Sequence, residues 1–224
     1  MNNNDYHDYV FKGGKVLGEF EQMYKNAKNI PWHQDEQEDW LDIRLALELL
    51  MKNAPYDYIL DFGAGLGFFL NTLGENIGTD NCTLIGMDIS ETACIKAKGL
   101  FENANFSVFD LRERPQTTDH RPQTTDHNNR LFCIRGTLWY VFPNMNNVVH
   151  NIANHICKGE KLLVSQNFPP LDSSFIGKDI IPDHQALIRH FSPFFSLINS
   201  IWSQDFVSDG NDNWFIGLFE RKVN

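Results

Sequence analysis

Three glycines at alternate positions follow an acid in the run Leu60-Asp61-Phe62-Gly63-Ala64-Gly65-Leu66-Gly67. Glycine lets a backbone turn tightly and lets a ligand come close to it. A helix opening from such a loop offers free N–H groups and the positive end of its dipole, which suits a phosphate or the carboxylate of an amino acid. A second acid, Asp88, lies 21 residues past Gly67, the separation at which a carboxylate binds ribose hydroxyls. A third, Asp110, ends the next apolar run, where a carboxylate can accept a hydrogen bond from an adenine amino group. These residues point to a ligand built on adenosine. The loop reads Gly-x-Gly-x-Gly rather than the Gly-x-Gly-x-x-Gly of dinucleotide sites, which argues against a nicotinamide oxidoreductase.

These residues need a scaffold of alternating strands and helices. Residues 58–62 read as a strand leading into the glycine loop, followed by a helix of about ten residues through Phe69, Leu70 and Leu73. Residues 83–88 are the second strand. Ser90 caps a helix running to Glu102, with Glu91 in its first turn. Residues 106–109, 131–135 and 161–165 give three further strands, with helices over 147–157 and 185–191. Two late apolar runs, 195–202 and 214–220, flank a polar segment and read as an antiparallel pair. Upstream, the spacing predicts helices over 15–28 and 37–53. The fold class is α/β: a Rossmann-like, mostly parallel seven-stranded sheet with a terminal antiparallel hairpin, helices on both faces and an N-terminal helical cap. The expected division is a cap segment, 1–36, on a domain, 37–224, within a single structural unit.

Over residues 38–224 the chain resembles the class I S-adenosylmethionine-dependent methyltransferases. The matching blocks are the glycine loop, Gly86-Met87-Asp88-Ile89-Ser90, Phe109-Asp110-Leu111 and Gly159-Glu160-Lys161-Leu162-Leu163-Val164. The resemblance implies a role for each matching position. Gly63, Ala64 and Gly65 face the methionine part of S-adenosyl-L-methionine, with Asp61 near its ammonium. Asp88 takes the ribose hydroxyls and Ile89 packs on the adenine. Asp110 takes the adenine amino group, with Leu111 beside it. The product is S-adenosyl-L-homocysteine, and no metal is expected. Many relatives carry an acid or a small polar residue where this chain has Arg135-Gly136-Thr137; Arg135 and Gly136 are expected near the sulfur through backbone groups. A fainter similarity links Tyr24 to His33 with nodulation-type N-methyltransferases, which carry a Pro-Trp pair at a comparable point.

Acceptor residues are expected where ligands gather in open α/β sheets, at the carboxyl ends of strands. Trp139 and Tyr140 follow the fourth strand, and Gln166 and Asn167 follow the fifth. Tyr24, Trp32 and His33 come from the cap. Histidine side chains can exchange protons near neutral pH, which makes His33 a candidate base. Tyr140 is a candidate to orient an acceptor or take its proton. Methyl transfer from a sulfonium depends mainly on alignment. The implied activity is transfer to oxygen or nitrogen of a small polar metabolite, a sugar or surface-glycan precursor being one class. Protein or RNA methylation and a catalytically silent cofactor-binding module are the alternatives.

Bulk properties narrow the field. The 224 residues carry a formal charge of −10 and no basic run, which disfavours a nucleic-acid partner. Cys82, Cys94, Cys133 and Cys157 are widely spaced, fitting a reduced cytoplasmic protein rather than a disulfide or metal framework. No signal peptide or membrane-length apolar run is visible, and oligomeric state is not encoded legibly. Residues 114–127 are a seven-residue segment repeated once in tandem. A tolerant surface loop is the expected setting, ahead of a lid or a His120/His127 metal site.

Overall fold

A computed structural model describes residues 6–113, 129–204 and 213–223. The duplicated segment 114–127 and the polar segment before the last strand lie outside the described residues.

The N-terminal segment departs from the expected helix over 15–28. It forms α1 (His7–Val10), a two-stranded hairpin of β1 (Phe11–Lys12) and β2 (Lys15–Val16), and a shorter α2 (Phe20–Asn26). Gly13 and Gly14 have φ +56° and +75°, the paired left-handed conformation that closes a two-residue hairpin. Gly18 (φ +71°) then re-aims the chain before α2 begins. Helical spacing of apolar residues over this stretch was therefore overridden by turn glycines. The next helix, α3 (Leu41–Met51), also starts later than expected, because residues 31–36 form a 3-10 turn and Gln37 is drawn into a buried hydrogen-bond network.

The remaining elements alternate as expected: β3 (Tyr56–Phe62), α4 (Phe68–Ile77), β4 (Gly78–Asp88), α5 (Glu91–Leu100), β5 (Ala104–Val108), β6 (Arg130–Arg135), α6 (Met145–His155), β7 (Lys161–Phe168), α7 (His184–Phe191), β8 (Phe195–Ser203) and β9 (Asn213–Arg221). One seven-stranded sheet has the order β5-β4-β3-β6-β7-β9-β8. The first five strands are parallel; β9 runs antiparallel between β7 and β8.

Strand periodicity divides the core. Leu60, Phe62, Phe132, Ile134, Leu162 and Val164 meet α6 and α7 on one face. Ile59, Leu131, Cys133, Leu163, Ile216 and Leu218 meet α3 and α4 on the other. Because β3 is buried along almost its whole length, apolar residues must serve both faces, which gives a near-continuous apolar run.

Close packing fixes some glycines in this sheet. A Cβ at Gly86 on β4 would lie 2.4 Å from the Phe106 ring and 3.0 Å from the Ala64 Cβ. At Gly99 in α5 nothing lies within 4 Å. Gly86→Ala should destabilise the fold by about 1–3 kcal/mol through overpacking. Gly99→Ala should stabilise it by about 0.5 kcal/mol through helix propensity. Thermal denaturation of the pair checks this: equal melting temperatures would show that the β4–β5 contact gives way freely.

Candidate functional site

Strand order reverses direction between β3, which runs out to β4 and β5, and β6, which runs out to β7. A crevice opens at such a switch point, at the carboxyl ends of the strands. Here it is a cavity of about 700 Å³. Asp61 enters it from β3, Asp88 from β4, Asp110 from the segment after β5 and Arg135 from β6.

The glycine loop is held by its own hydrogen bonds. Gly63 and Ala64 N–H donate to the Met87 carbonyl (2.6 and 2.9 Å), Gly65 N–H to Asp88 Oδ2 (2.9 Å) and Leu66 N–H to Gln34 Oε1 (2.9 Å). These four loop N–H groups are thus satisfied within the protein, and the free N–H groups expected from sequence belong to the helix that follows, α4. What the glycines supply is close approach. A Cβ at Gly63 would sit 2.3 Å from Thr137 Oγ1, and one at Gly65 would sit 2.6 Å from Gln34 Oε1 and 2.8 Å from the Tyr24 hydroxyl.

The three acids sit in different environments. Asp61 is 2% exposed and its Oδ1 has no hydrogen-bond partner. Burial raises its pKa to about 8, against the lowering effect of Arg135 and with a further push from Asp88. Asp88 is also buried, which raises its carboxyl, but it accepts backbone hydrogen bonds from Gly65 and Ser90 that favour the charged form. Partial burial pushes Asp110 up, but Arg112 prevails and holds its carboxyl below the usual value. Arg112 forks onto both Asp110 oxygens (Nε–Oδ1 2.9 Å, Nη2–Oδ2 2.6 Å). The expected free carboxylate at Asp110 is therefore shared with a half-exposed arginine.

Arg135 does more than the sequence suggested. Its side chain is 10% exposed and pairs with buried Asp42 (Nε–Oδ2 2.6 Å, Nη2–Oδ1 3.2 Å), while Nη1 donates to Gln37 Oε1 (2.6 Å). The rings of Trp214, Phe69 and Trp40 surround the guanidinium at 5.3, 5.4 and 5.9 Å. A planar, weakly hydrated cation tolerates this setting because carboxylate and ring faces replace lost water. Gln37 in turn donates from Nε2 to the Trp32 carbonyl (2.5 Å).

The N-terminal segment roofs the crevice. Gln34 Nε2 donates to the Tyr24 hydroxyl (3.2 Å), joining α2 to the glycine loop. Glu21 accepts from Ser90 Oγ (2.6 Å), Thr92 Oγ1 (2.7 Å) and Thr92 N–H (3.1 Å) at the start of α5. These donors draw its pKa down to about 2. Lys96 Nζ donates to the Tyr24 carbonyl (2.5 Å).

Known proteins place this architecture. No family model matches the sequence, and no curated protein sequence matches it. Solved structures do match its shape. The N-methyltransferase NodS of Bradyrhizobium japonicum, crystallised with S-adenosyl-L-homocysteine, superposes with a TM-score of 0.68 at 14% identity over 90% of this chain and 97% of that one. A SAM-dependent methyltransferase of Methanosarcina mazei gives 0.58 at 13% identity, covering 79% of this chain and 98% of that one. A TehB-like SAM-dependent methyltransferase of Corynebacterium glutamicum gives 0.51 at 19% identity, covering 79% and 87%. The chain has the class I methyltransferase fold.

Within that methyltransferase fold, most residues singled out from sequence line one cavity: Tyr24, Trp32, His33, Gly63, Ala64 and Gly65 on one side, with Ile89, Leu111, Gly136, Trp139, Tyr140 and Asn167 on the others. Gln166 is the exception. It is fully buried and outside the lining, because β7 alternation turns it to the α6 face while Asn167 faces the crevice. His33 stays at the rim, more than half exposed, 3.7 Å from Glu36. Tyr140 is partly buried and packs against the Trp32 ring (centroids 6.0 Å apart); burial raises its phenol well above the usual range, so it stays protonated and suits donation rather than proton removal. Sequence reasoning missed Gln34, Gln37 and Asp42. A buried charge such as Arg135 needs a partner, and the acid inside an apolar helix, Asp42, was the available signal.

An acid whose folded pKa is raised binds more protons folded than unfolded. Asp61 therefore erodes stability as pH rises through the window from its ordinary 3.8 to about 8. Asp61→Asn removes this effect. Its melting temperature should match the parent's near pH 4 and exceed it increasingly up to pH 9. A constant difference across that range would show that Asp61 is ionised throughout.

Proposed function

We propose that the chain is an S-adenosylmethionine-dependent methyltransferase that modifies oxygen or nitrogen of a small molecule. The observation that carries this reading is the buried, unpartnered Oδ1 of Asp61 beside the glycine loop. A buried carboxylate of this kind fits an ammonium, and Arg135 lines the same end with more N–H donors than Asp42 and Gln37 use. The pair suits the ammonium and carboxylate of an amino acid group. Asp88 and Asp110, at the ends of the next two strands, suit ribose hydroxyls and an adenine amino group. The NodS likeness, with S-adenosyl-L-homocysteine in its site, supports the same assignment.

S-adenosylmethionine, when bound, supplies a methyl group on a positively charged sulfur with a neutral thioether as leaving group. The protein's part is then alignment and exclusion of water. In this reading Asp61 and Arg135 hold the amino acid end, Asp88 fixes the ribose, and Ile89 and Leu111 enclose the adenine. Tyr140 donates a hydrogen bond that orients the acceptor. The roof of Tyr24, Trp32 and Gln34 keeps water from the reacting atoms. An amine acceptor needs only its neutral form, whereas a hydroxyl acceptor gains from a base, for which His33 at the rim is placed.

Calorimetry with S-adenosyl-L-homocysteine and with NAD tests the proposal. S-adenosyl-L-homocysteine should bind and NAD should not; the reverse would refute it. Asp88→Ala should weaken S-adenosyl-L-homocysteine binding by about 1.5–3 kcal/mol, the worth of charge-assisted hydrogen bonds. Binding should also release a proton at pH 7, as the ligand's ammonium draws Asp61 into its charged form. Titrations in buffers of different ionisation enthalpy measure that release, and its absence would place the ammonium elsewhere.

A further inference from the structure

The cavity has two chemically different halves. Its acids and arginines, Asp61, Asp88, Asp110, Arg112 and Arg135, all lie at or just beyond the carboxyl ends of β3 to β6. The rest of the wall comes largely from the N-terminal segment and the 3-10 turn Leu138–Asn144. Among the described residues 6–40, no Lys, Arg, Asp or Glu lines it.

What lines it is aromatic. Phe20 and Tyr140 lie 5.0 Å apart between ring centroids, Tyr6 and Trp32 5.5 Å, Phe11 and Tyr140 5.9 Å, and Trp32 and Tyr140 6.0 Å. Leu17, at the rim beside the hairpin, is 42% exposed. Of the amides that line the cavity, Gln34 is engaged with Leu66 and Tyr24 and Gln37 with Arg135 and Trp32, while Asn144 and Asn167 line it as well. Trp32 itself is held against a conformational cost. It and His33 have φ of +54° and +50°, a region that non-glycine residues seldom occupy. The Gln37 hydrogen bond to the Trp32 carbonyl keeps the turn in place. Such strain persists where surrounding structure over-determines it, and it collects at ligand clamps.

This wall discriminates between acceptor classes. A sugar brings several hydroxyls, each needing a partner once buried. An anionic acceptor finds no Lys or Arg from residues 6–40, and the two arginines across the cavity are already paired with Asp110 and Asp42. A protonated amine lacks the lone pair that attacks. We infer that the acceptor is a neutral, flat, largely apolar molecule: an aromatic ring system carrying one hydroxyl or amine. Its ring lies against Trp32 and Phe20, and its nucleophile meets the Tyr140 hydroxyl. This rests on the methyltransferase reading and replaces the sugar-like acceptor expected from sequence with one matched to the wall.

The test is equilibrium titration of the full chain, saturated with S-adenosyl-L-homocysteine, with 2-naphthol and separately with N-acetylglucosamine. 2-Naphthol should bind saturably, and at least about tenfold more tightly than the sugar. Phe20→Ser and Trp32→Ala should each weaken 2-naphthol about three- to tenfold, the worth of an aromatic contact. Trp32→Phe should restore most of that loss, which separates ring contact from a misfolded wall. Affinity for S-adenosyl-L-homocysteine should change less than about twofold in Phe20→Ser. Tighter or equal binding of the sugar overturns the inference while leaving the methyltransferase reading intact, as does 2-naphthol binding that none of the variants alters. Failure of the parent protein to bind S-adenosyl-L-homocysteine at all brings down both.

Discussion

The two hydrogen bonds that Asp88 accepts, from Gly65 and from Ser90, tie the site together. The first fastens the loop after β3 to the end of β4. The second fixes the turn into α5, whose first residues receive Glu21 from the roof. One buried carboxylate thereby sets the relative position of the central strand's loop, its neighbour and the N-terminal segment. Burial disfavours its charge, and the backbone N–H groups offset that cost locally. The glycine loop takes its shape from amides that answer to Asp88, Met87 and Gln34.

Asp61 shows the opposite arrangement. It lies in the same crevice, has no hydrogen bond on Oδ1 and carries a carboxyl pushed to about 8. Arg135 faces it but is shared with Asp42 and Gln37. The polar floor of the crevice thus contains one acid that the backbone satisfies and one whose Oδ1 has no hydrogen-bond partner. Arg135 also joins floor to wall, since Gln37 passes its hold on to Trp32.

Local rules were legible where they agreed with the fold. The Gly-x-Gly-x-Gly loop, the acids at strand ends and the Ser90 cap were readable because each depends on a few adjacent residues; the Ser90 side chain does accept from Ala93 N–H. The terminal antiparallel pair was readable from two apolar runs around a polar turn, and the structure inserts β9 beside β7. The N-terminal segment was misread because apolar spacing was weighed above Gly13, Gly14 and Gly18. Gln166 was misassigned because one residue along a strand reverses the face. The Arg135–Asp42 pair joins residues 93 positions apart, and no local pattern announces such a contact. The aromatic wall likewise unites Tyr6, Phe20, Trp32 and Tyr140 across the chain.

The Glu21 latch has a consequence for the order in which the molecule assembles. Its partners, Ser90 and Thr92, lie 69 and 71 residues further along, and Lys96 lies 72 beyond Tyr24. The roof comes from residues upstream of the sheet, and its anchoring points, Ser90, Thr92 and Lys96, belong to the turn and helix that follow β4. Contacts of such long sequence separation carry a loop-closure cost that must be met before they contribute stability. The crevice is therefore complete only when the N-terminal segment, held by Glu21 and Tyr24, closes over the start of α5.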